Sequence, residues 1–243
     1  MDKIRIAAVG DIHVRHTDRN VWGPWFEKVS ARADILVLCG DLTDTGDKAE
    51  AKVLAEEIKA CTIPVIAVLG NHDHEKGKQD QIRQMMQDAR VHMLEGESIV
   101  IKGVGFAGVK GFGGGFDNFK LSHFGEAAIK AFVQETIEEV HRLDQALAQL
   151  ENEHPDIPRI AVLHYAPIKA TVVGEPEVIF PFLGSSRLAG PLDKRGVIAA
   201  FHGHAHVGTL EGATTGGARV FNVALPILKK EGHQDGVYLF EVG

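Results

Sequence analysis

Five apolar runs in this sequence end abruptly in residues that carry oxygen or nitrogen donors, and that repeated grammar constrains the fold more than any other feature. Ile4–Val9 leads to Asp11-Ile12-His13, Ile35–Cys39 to Gly40-Asp41, and Ile63–Leu69 to Gly70-Asn71-His72-Asp73. Ile160–Leu163 leads to His164, and Val197–Phe201 to His202-Gly203-His204-Ala205-His206. Short apolar runs bounded by turn residues read as buried strands. Helical segments alternate with the first three, near Trp22–Ala33, Lys48–Ala60 and Gln79–Ala89. Pro24 suits the first turn of its helix, and Asp47 with Glu50 has capping-box spacing. Strand alternating with helix predicts a mainly parallel sheet covered on both faces. Open sheets of this kind carry their sites at the carboxyl ends of the strands, where these polar residues stand.

The pattern changes after Ser98. Ile99–Ile101 and Gly105–Val109 read as two short strands running into the glycine-rich stretch Gly111–Phe116. That stretch lacks the Lys-Ser/Thr ending of a phosphate-binding P-loop, so a flexible surface loop over a site is expected. A long helix over about Glu126–Leu150 carries Ile129, Phe132, Val133, Ile137, Val140, Leu147 and Leu150 at helical spacing, predicting one core-facing side. Tyr165–Arg195 is punctuated by Pro and Gly and expected to be mostly irregular, a length usually reserved for functional loops. Val220–Val223 and Val237–Val242 read as closing strands, expected to be antiparallel. With no repeat or linker, residues 1–243 are expected to form one domain.

A chain of 243 residues with 44% hydrophobic content can bury one sizeable core. Its formal charge of -7 and pI of about 6.0 disfavour nucleic acid and anionic membranes, which both want a basic face. Cys39 and Cys61 read as buried, reduced thiols rather than a disulfide framework. Ile4–Val9 is too short and polar for a secretory signal core, and no run approaches the length of a membrane span. A soluble cytoplasmic protein is expected.

The strand-end donors are Asp11, His13, Asp41, Asn71, His164, His204 and His206. Carboxylate, imidazole and amide ligands without a thiolate suit borderline to hard divalent metals. Asp11 and His13, like His204 and His206, are spaced to share a face in extended backbone. Seven ligands exceed what one catalytic ion with an open position takes, and suit two ions sharing a carboxylate. Any single buried histidine or Asp-x-His is more often a hydrogen-bonded structural residue. The recurrence at five strand ends argues for metal instead.

Asp11-x-His13, Gly40-Asp41-x-x-Asp44, Gly70-Asn71-His72-Asp73, His164 and Gly203-His204-x-His206 together resemble, in order, the signature of the calcineurin-like metallophosphoesterases. The resemblance implies an α/β fold of two packed mixed β-sheets flanked by helices. It implies one divalent cation on Asp11, His13, Asp41 and His206, and a second on Asp41, Asn71, His164 and His204, with Asp41 bridging. Mn, Fe, Zn or Ni are the metals implied. The chemistry implied is hydrolysis of a small phosphodiester or phosphomonoester. Two cations roughly 3.5–4 Å apart would clamp the phosphate and acidify the attacking water. His72 would then serve the leaving oxygen as general acid, with Asp73 orienting its ring.

Departures from neighbouring branches narrow the resemblance. Thr45 stands where protein serine/threonine phosphatases carry Arg, and Asp44 where purple acid phosphatases carry a Tyr ligand. The double-strand-break nucleases carry extra DNA-binding regions that the length and acidic balance here do not suggest. The remaining likeness is to small prokaryotic phosphohydrolases, including the cyclic-nucleotide phosphodiesterase-like group. Within Tyr165–Arg195, Gly184-Ser185-Ser186-Arg187 offers hydroxyls and a guanidinium suited to phosphate oxygens, so Ser186 and Arg187 are expected to bind substrate. The competing readings are a catalytically silent scaffold of the same fold and a nuclease.

Overall fold

Side chains of successive strand residues point to opposite faces, and here that alternation sorts the apolar residues into two packed layers. The computed structural model describes residues 3–233 and 235–243. β1 (Ile4–Val9), β2 (Ile35–Cys39), β3 (Val65–Val68) and β4 (Val91–Met93) pair in parallel. β11 (Tyr238–Val242) closes that sheet antiparallel to β1, giving the order β11-β1-β2-β3-β4. The second sheet has the order β5-β6-β7-β8-β10-β9, from β5 (Glu97–Ile101), β6 (Val104–Val109), β7 (Arg159–Leu163), β8 (Val197–His202), β9 (Glu211–Ala213) and β10 (Arg219–Asn222). β6, β7, β8 and β10 run parallel, with β5 and β9 antiparallel at the edges. The expected antiparallel ending holds for β11, while β10 runs antiparallel to β9 and parallel to β8.

The main core lies between the sheets. Phe106, Ile160, Val162, Phe201 and Phe221 of the second sheet join Ile6, Leu36, Leu38 and Ile66 of the first in one cluster. Their alternate neighbours Ala107, Ala161, Leu163 and Ala200 face outward onto α5 (Ala127–Glu153), where Leu143, Leu147 and Leu150 cover them. Helices α1 (Gly23–Ser30), α2 (Lys48–Glu57) and α4 (Gln79–Asp88) contribute Phe26, Val29, Leu54, Ile82 and Met86 to the first sheet's packing. The architecture is two mixed sheets flanked by helices. The capping box of α2 is present: Asp47 accepts from the Ala49 amide, and Glu50 from that of Asp47.

Three expectations are corrected. Ile129 and Ile137 of α5 are 43% and 39% exposed, while Thr136 and Glu139 are buried. The buried polar pair faces the glycine-rich stretch: Thr136 donates to the Gly113 carbonyl, and Glu139 accepts from the Gly111 amide at 2.6 Å. That stretch is consequently no free surface loop, since Gly111 and Gly113–Phe116 are buried and pinned to α5. Tyr165–Arg195 likewise contains short ordered helices, α6 (Phe180–Leu183) and α7 (Ala189–Lys194). Among the described residues no helix is long and apolar enough to cross a membrane.

Candidate metal centre

The turn after each carboxyl end sets up the cluster. Asp11, His13, Asp41 and His204 all adopt positive φ, at 59°, 44°, 48° and 70°. Left-handed backbone is uncommon outside glycine, and Asp, Asn and His are the residues that tolerate it best. Strain of this kind concentrates at functional sites, and among the described residues half of the non-glycine positions with positive φ are these four. Two glycines let the turns approach one another. A Cβ on Gly203 would overlap the Asp11 carboxylate, and one on Gly70 would overlap that of Asp41.

Two groups of donors are built from the expected ligands, one of Asp11, His13 and His206 and one of Asp41, His164 and His204; a third, of His13, Asp44 and His72, shares His13 with the first, and in each the ligand atoms lie within 4.8 Å of one another. His206 Nε2 lies 2.9 Å from Asp11 Oδ1, and His164 Nε2 lies 3.4 Å from Asp41 Oδ1 and 2.8 Å from Asn71 Oδ1. His13 Nε2 stands 3.8 Å from Asp41 Oδ2, which ties the two groups together. Ions bonded at roughly 2.0–2.2 Å hold their ligand atoms about 3–4 Å apart, the separations found here. The structure thus brings all seven expected ligands to one edge where both sheets end.

The donors fit cations on chemical grounds. His164 Nδ1 donates to the Cys39 carbonyl at 2.9 Å, so its Nε2 presents a lone pair. That lone pair meets two further acceptors, Asn71 Oδ1 and Asp41 Oδ1. His204 Nε2 donates to the Phe182 carbonyl at 3.0 Å, leaving Nδ1 for the cluster. Both nitrogens of His13 are buried without a hydrogen-bond partner. Burial lowers the pKa of His13, His164 and His204, which keeps these imidazoles neutral. For His206 the hydrogen bond to Asp11 outweighs burial and raises it.

The carboxylates are divided. Burial opposes the Asp11 charge, but the His206 hydrogen bond and the neighbouring imidazoles hold its pKa below the usual range. Burial, then the charges of Asp11 and Asp73, push Asp41 well above it. Among the described residues the ion pairs of Asp11 and Asp41 run to imidazoles, with no Lys or Arg. Two buried carboxyls with no Lys or Arg beside them, among imidazoles of which only His206 is shifted toward the charged form, make a site that a divalent cation would complete.

His72 lies at this cluster, its ring edge-on to His13 at 4.6 Å and its Nε2 3.9 Å from Asp41 Oδ2. The expected support from Asp73 is corrected. His72 Nδ1 donates to the Asp44 carbonyl at 2.6 Å. Asp73 is fully buried and accepts instead from the amides of Leu42, Thr43 and Gly70 and from the Thr43 hydroxyl. Its carboxylate clamps the turn carrying Asp41 to the turn carrying Asn71.

Ser186 and Arg187, expected to bind substrate, have protein partners, while Arg187 Nη1 is buried without one. Ser186 Oγ accepts from the Asp117 amide at 2.9 Å, and Arg187 Nη2 donates to the Leu121 carbonyl at 2.7 Å. Both hold the segment that follows the glycine-rich stretch, because its backbone there needs partners. His202 is a buried structural residue bonded to Thr171 Oγ1 at 2.8 Å.

Tyr165 was not singled out by sequence, yet its ring lies 4.4 Å from that of His204. Lys110 extends over the Tyr165 and Phe112 rings at 5.3 and 4.7 Å. Lys110 follows β6 as the ligands follow their strands, and Tyr165 is the neighbour of His164; those positions were the available signal.

Two mixed sheets that meet at a carboxylate–histidine cluster define a phosphoesterase type of α/β fold. The family model described as calcineurin-like phosphoesterase matches residues 4–208, and the chain belongs to that family of metal-dependent phosphoric ester hydrolases. No curated protein matches the sequence. Solved structures share the fold at low identity. Phosphopantetheinyl hydrolase (PptH) from Mycobacterium tuberculosis has a TM-score of 0.65 at 16% identity, covering 97% of this chain and 95% of that one. TT1561 of Thermus thermophilus has a TM-score of 0.59 at 15% identity, covering 100% of both. GAP50, the anchor in the inner membrane complex of Plasmodium, has a TM-score of 0.56 at 16% identity, covering 93% of this chain and 73% of that one.

Proposed function

We propose that this protein hydrolyses small phosphoesters with two divalent cations, the whole chain acting as one domain. The observation that carries the proposal is the adjacency of the donor groups Asp11/His13/His206 and Asp41/His164/His204. The first group would hold one ion and the second, with Asn71, the other; Asp41 stands where it reaches both. Cations there would neutralise phosphate oxygens and acidify the attacking water.

The chain's own residues supply the remainder. Asp73 fixes the spacing of the Asp41 and Asn71 turns. The Asp44 carbonyl holds His72 by Nδ1, so Nε2 is the atom free to give a proton to the departing oxygen. A side chain 39% exposed is open to a substrate from solvent. The chain is set to bind, orient and protonate a phosphodiester or phosphomonoester.

The test is metal removal followed by add-back of Mn²⁺, Fe²⁺, Zn²⁺ or Ni²⁺. Bound metal is counted and hydrolysis of an aryl phosphomonoester, an aryl phosphodiester, a cyclic nucleotide and single-stranded DNA is followed. Two ions per chain with activity restored on the small esters is the expected result. Full activity without metal would refute the proposal. Two ions with no turnover would favour the silent scaffold, and DNA as the best substrate would favour the nuclease.

A further inference from the structure

A cavity of about 280 Å³ opens between the glycine-rich stretch and residues 169–181. We propose that this cavity, walled by Phe116, Phe119, Val178, Phe180 and Pro181, receives the apolar organic group of the phosphoester substrate. The proposal rests on the hydrolase reading above and names the substrate class: amphiphilic phosphoesters with an alkyl or aryl group of limited length.

Continuity with the metal centre is the first argument. Phe116 and Phe180 pack in the same apolar cluster as Ala205, which lies between His204 and His206. Phe182 follows Pro181 in sequence, and its carbonyl accepts from His204 Nε2 at 3.0 Å. One short turn of chain therefore supplies both a wall of the cavity and the acceptor that sets a ligand's tautomer. The cavity wall and the strand end carrying His204 and His206 therefore share one packed cluster and one turn of chain.

The walls are also built in advance, as binding pockets usually are. The Gly114 amide donates to the Pro181 carbonyl at 2.6 Å, that of Gly115 to Gly184 at 2.9 Å, and that of Ser186 to Gly115 at 3.2 Å. Arg187 and Ser186 add the bonds to Leu121 and Asp117. These contacts explain why glycines are needed at the stretch: a Cβ on Gly113 would press on the Pro181 carbonyl at 2.5 Å. The work of the loop is to hold Phe116 and Phe119 opposite Val178 and Phe180.

The rim is apolar in water. Phe119 and Val178 are each 81% exposed. Single exposed apolar residues are ordinary, but these flank one cavity beside a candidate active site. Lys169 Nζ lies 5.9 Å from the Phe180 ring, placing a cation beside the apolar wall. Glu177 lines the same cavity, so its charged rim carries both signs and the apolar wall is what selects the ligand. The volume is about twice that of a cavity of roughly 150 Å³ that accepts benzene, so it would take a chain of about ten heavy atoms.

The experiment uses the Mn²⁺-loaded protein and p-nitrophenyl alkyl phosphodiesters from methyl to decyl, so the leaving group is constant. kcat/KM should rise about two- to fourfold per methylene and level off near octyl. Val178→Asp and Phe119→Ser should each reduce the octyl-to-methyl ratio at least tenfold, with two metals still bound. Calorimetric Kd values for octyl phosphate and methyl phosphate read the same preference without turnover. Retained octyl preference in binding with no hydrolysis of any ester would overturn the hydrolase reading and leave the subsite standing. Hydrolysis with a flat chain-length series and equal Kd values would overturn the subsite alone. So would a dimer that Val178→Asp dissociates while chain length has no effect, since the face would then belong to a second copy.

Discussion

Replacing Asp73 by Asn tests whether this residue is a clamp or an orienting partner of the acid. Its Oδ2 accepts from the Leu42 and Gly70 amides at 3.1 and 2.8 Å, and its Oδ1 from the Thr43 amide and hydroxyl at 2.8 and 2.6 Å. An Asn amide must turn its NH₂ toward one of these pairs. Facing Leu42 and Gly70 it would oppose two backbone donors that cannot move. Facing Thr43 it opposes one, because the hydroxyl can rotate to accept. The second orientation therefore wins, and one backbone N–H loses its acceptor. A hydrogen bond to a charged group contributes about 1.5–3 kcal/mol, and an unsatisfied buried donor costs about 1–3 kcal/mol. Burial raises the pKa of this carboxyl despite its four hydrogen bonds, so removing the charge returns part of that cost. A net loss of about 2–3 kcal/mol remains. For a domain of this size that is a fall in Tm of roughly 4–12 °C. Metal-free protein should be melted by circular dichroism, and metal content counted after reconstitution. Asp73→Asn should lower Tm and metal occupancy and slow good and poor leaving groups alike. An unchanged Tm, full metal content and a loss confined to poor leaving groups would refute the clamp and restore Asp73 as the partner of His72.

Asp41→Asn should be the most damaging ligand change, because Asp41 lies against both donor groups; metal counts should fall at both positions, where Asn71→Ala lowers one. His72→Ala should reduce turnover about 10²–10⁴-fold with metal content retained, and the loss should shrink for a nitrophenyl leaving group; equal losses for all leaving groups would show that His72 is not the acid. Away from the site, Arg195 first and then Lys194 hold the Asp144 pKa at about 2 through hydrogen bonds. A depressed carboxyl stabilises the fold above its unfolded pKa and loses that contribution as pH falls through its folded value. Asp144→Asn should accordingly destabilise by about 1 kcal/mol near neutrality, discounted for its partial exposure. In urea titrations that gap should close between about pH 4 and pH 2.

What could be read from sequence follows from the range of the interactions involved. β1 and β2 were legible to the residue, since continuous apolar runs ending at Gly or Asp leave few alternatives. β4 was missed because three residues are too few to show a period. The segment Asn71–His74 reads as a turn but forms one helical turn, α3, whose entry is fixed by Asp73 accepting from the Gly70 amide. Ligand identity needed only residue type and place at a strand end. Support for those ligands needed partners distant in sequence, such as the Cys39 carbonyl under His164 and the Phe182 carbonyl under His204. Main-chain acceptors leave no trace in residue type. That is why Asp73 read as the natural partner of His72 while the true acceptor was the carbonyl of Asp44.

The same reasoning explains the buried polar face of α5. A periodicity count assigns Ile129 and Ile137 to the core and passes over Thr136 and Glu139. The helix must pack against buried glycine backbone whose N–H and C=O groups have lost water. Each unpaired group of that kind costs about 1–3 kcal/mol, comparable to the benefit of burying one isoleucine. Polar partners for two of them therefore offset what two further apolar side chains would contribute at that face. The glycine-rich stretch and the polar stripe of α5 are therefore one device, legible only when the two segments are seen in contact. Thr136→Val, which keeps the shape and removes the hydroxyl, should loosen residues 111–116 to hydrogen exchange while leaving the β7 and β8 amides protected. Equal exchange in both regions would mean that the hydroxyl does not anchor the stretch.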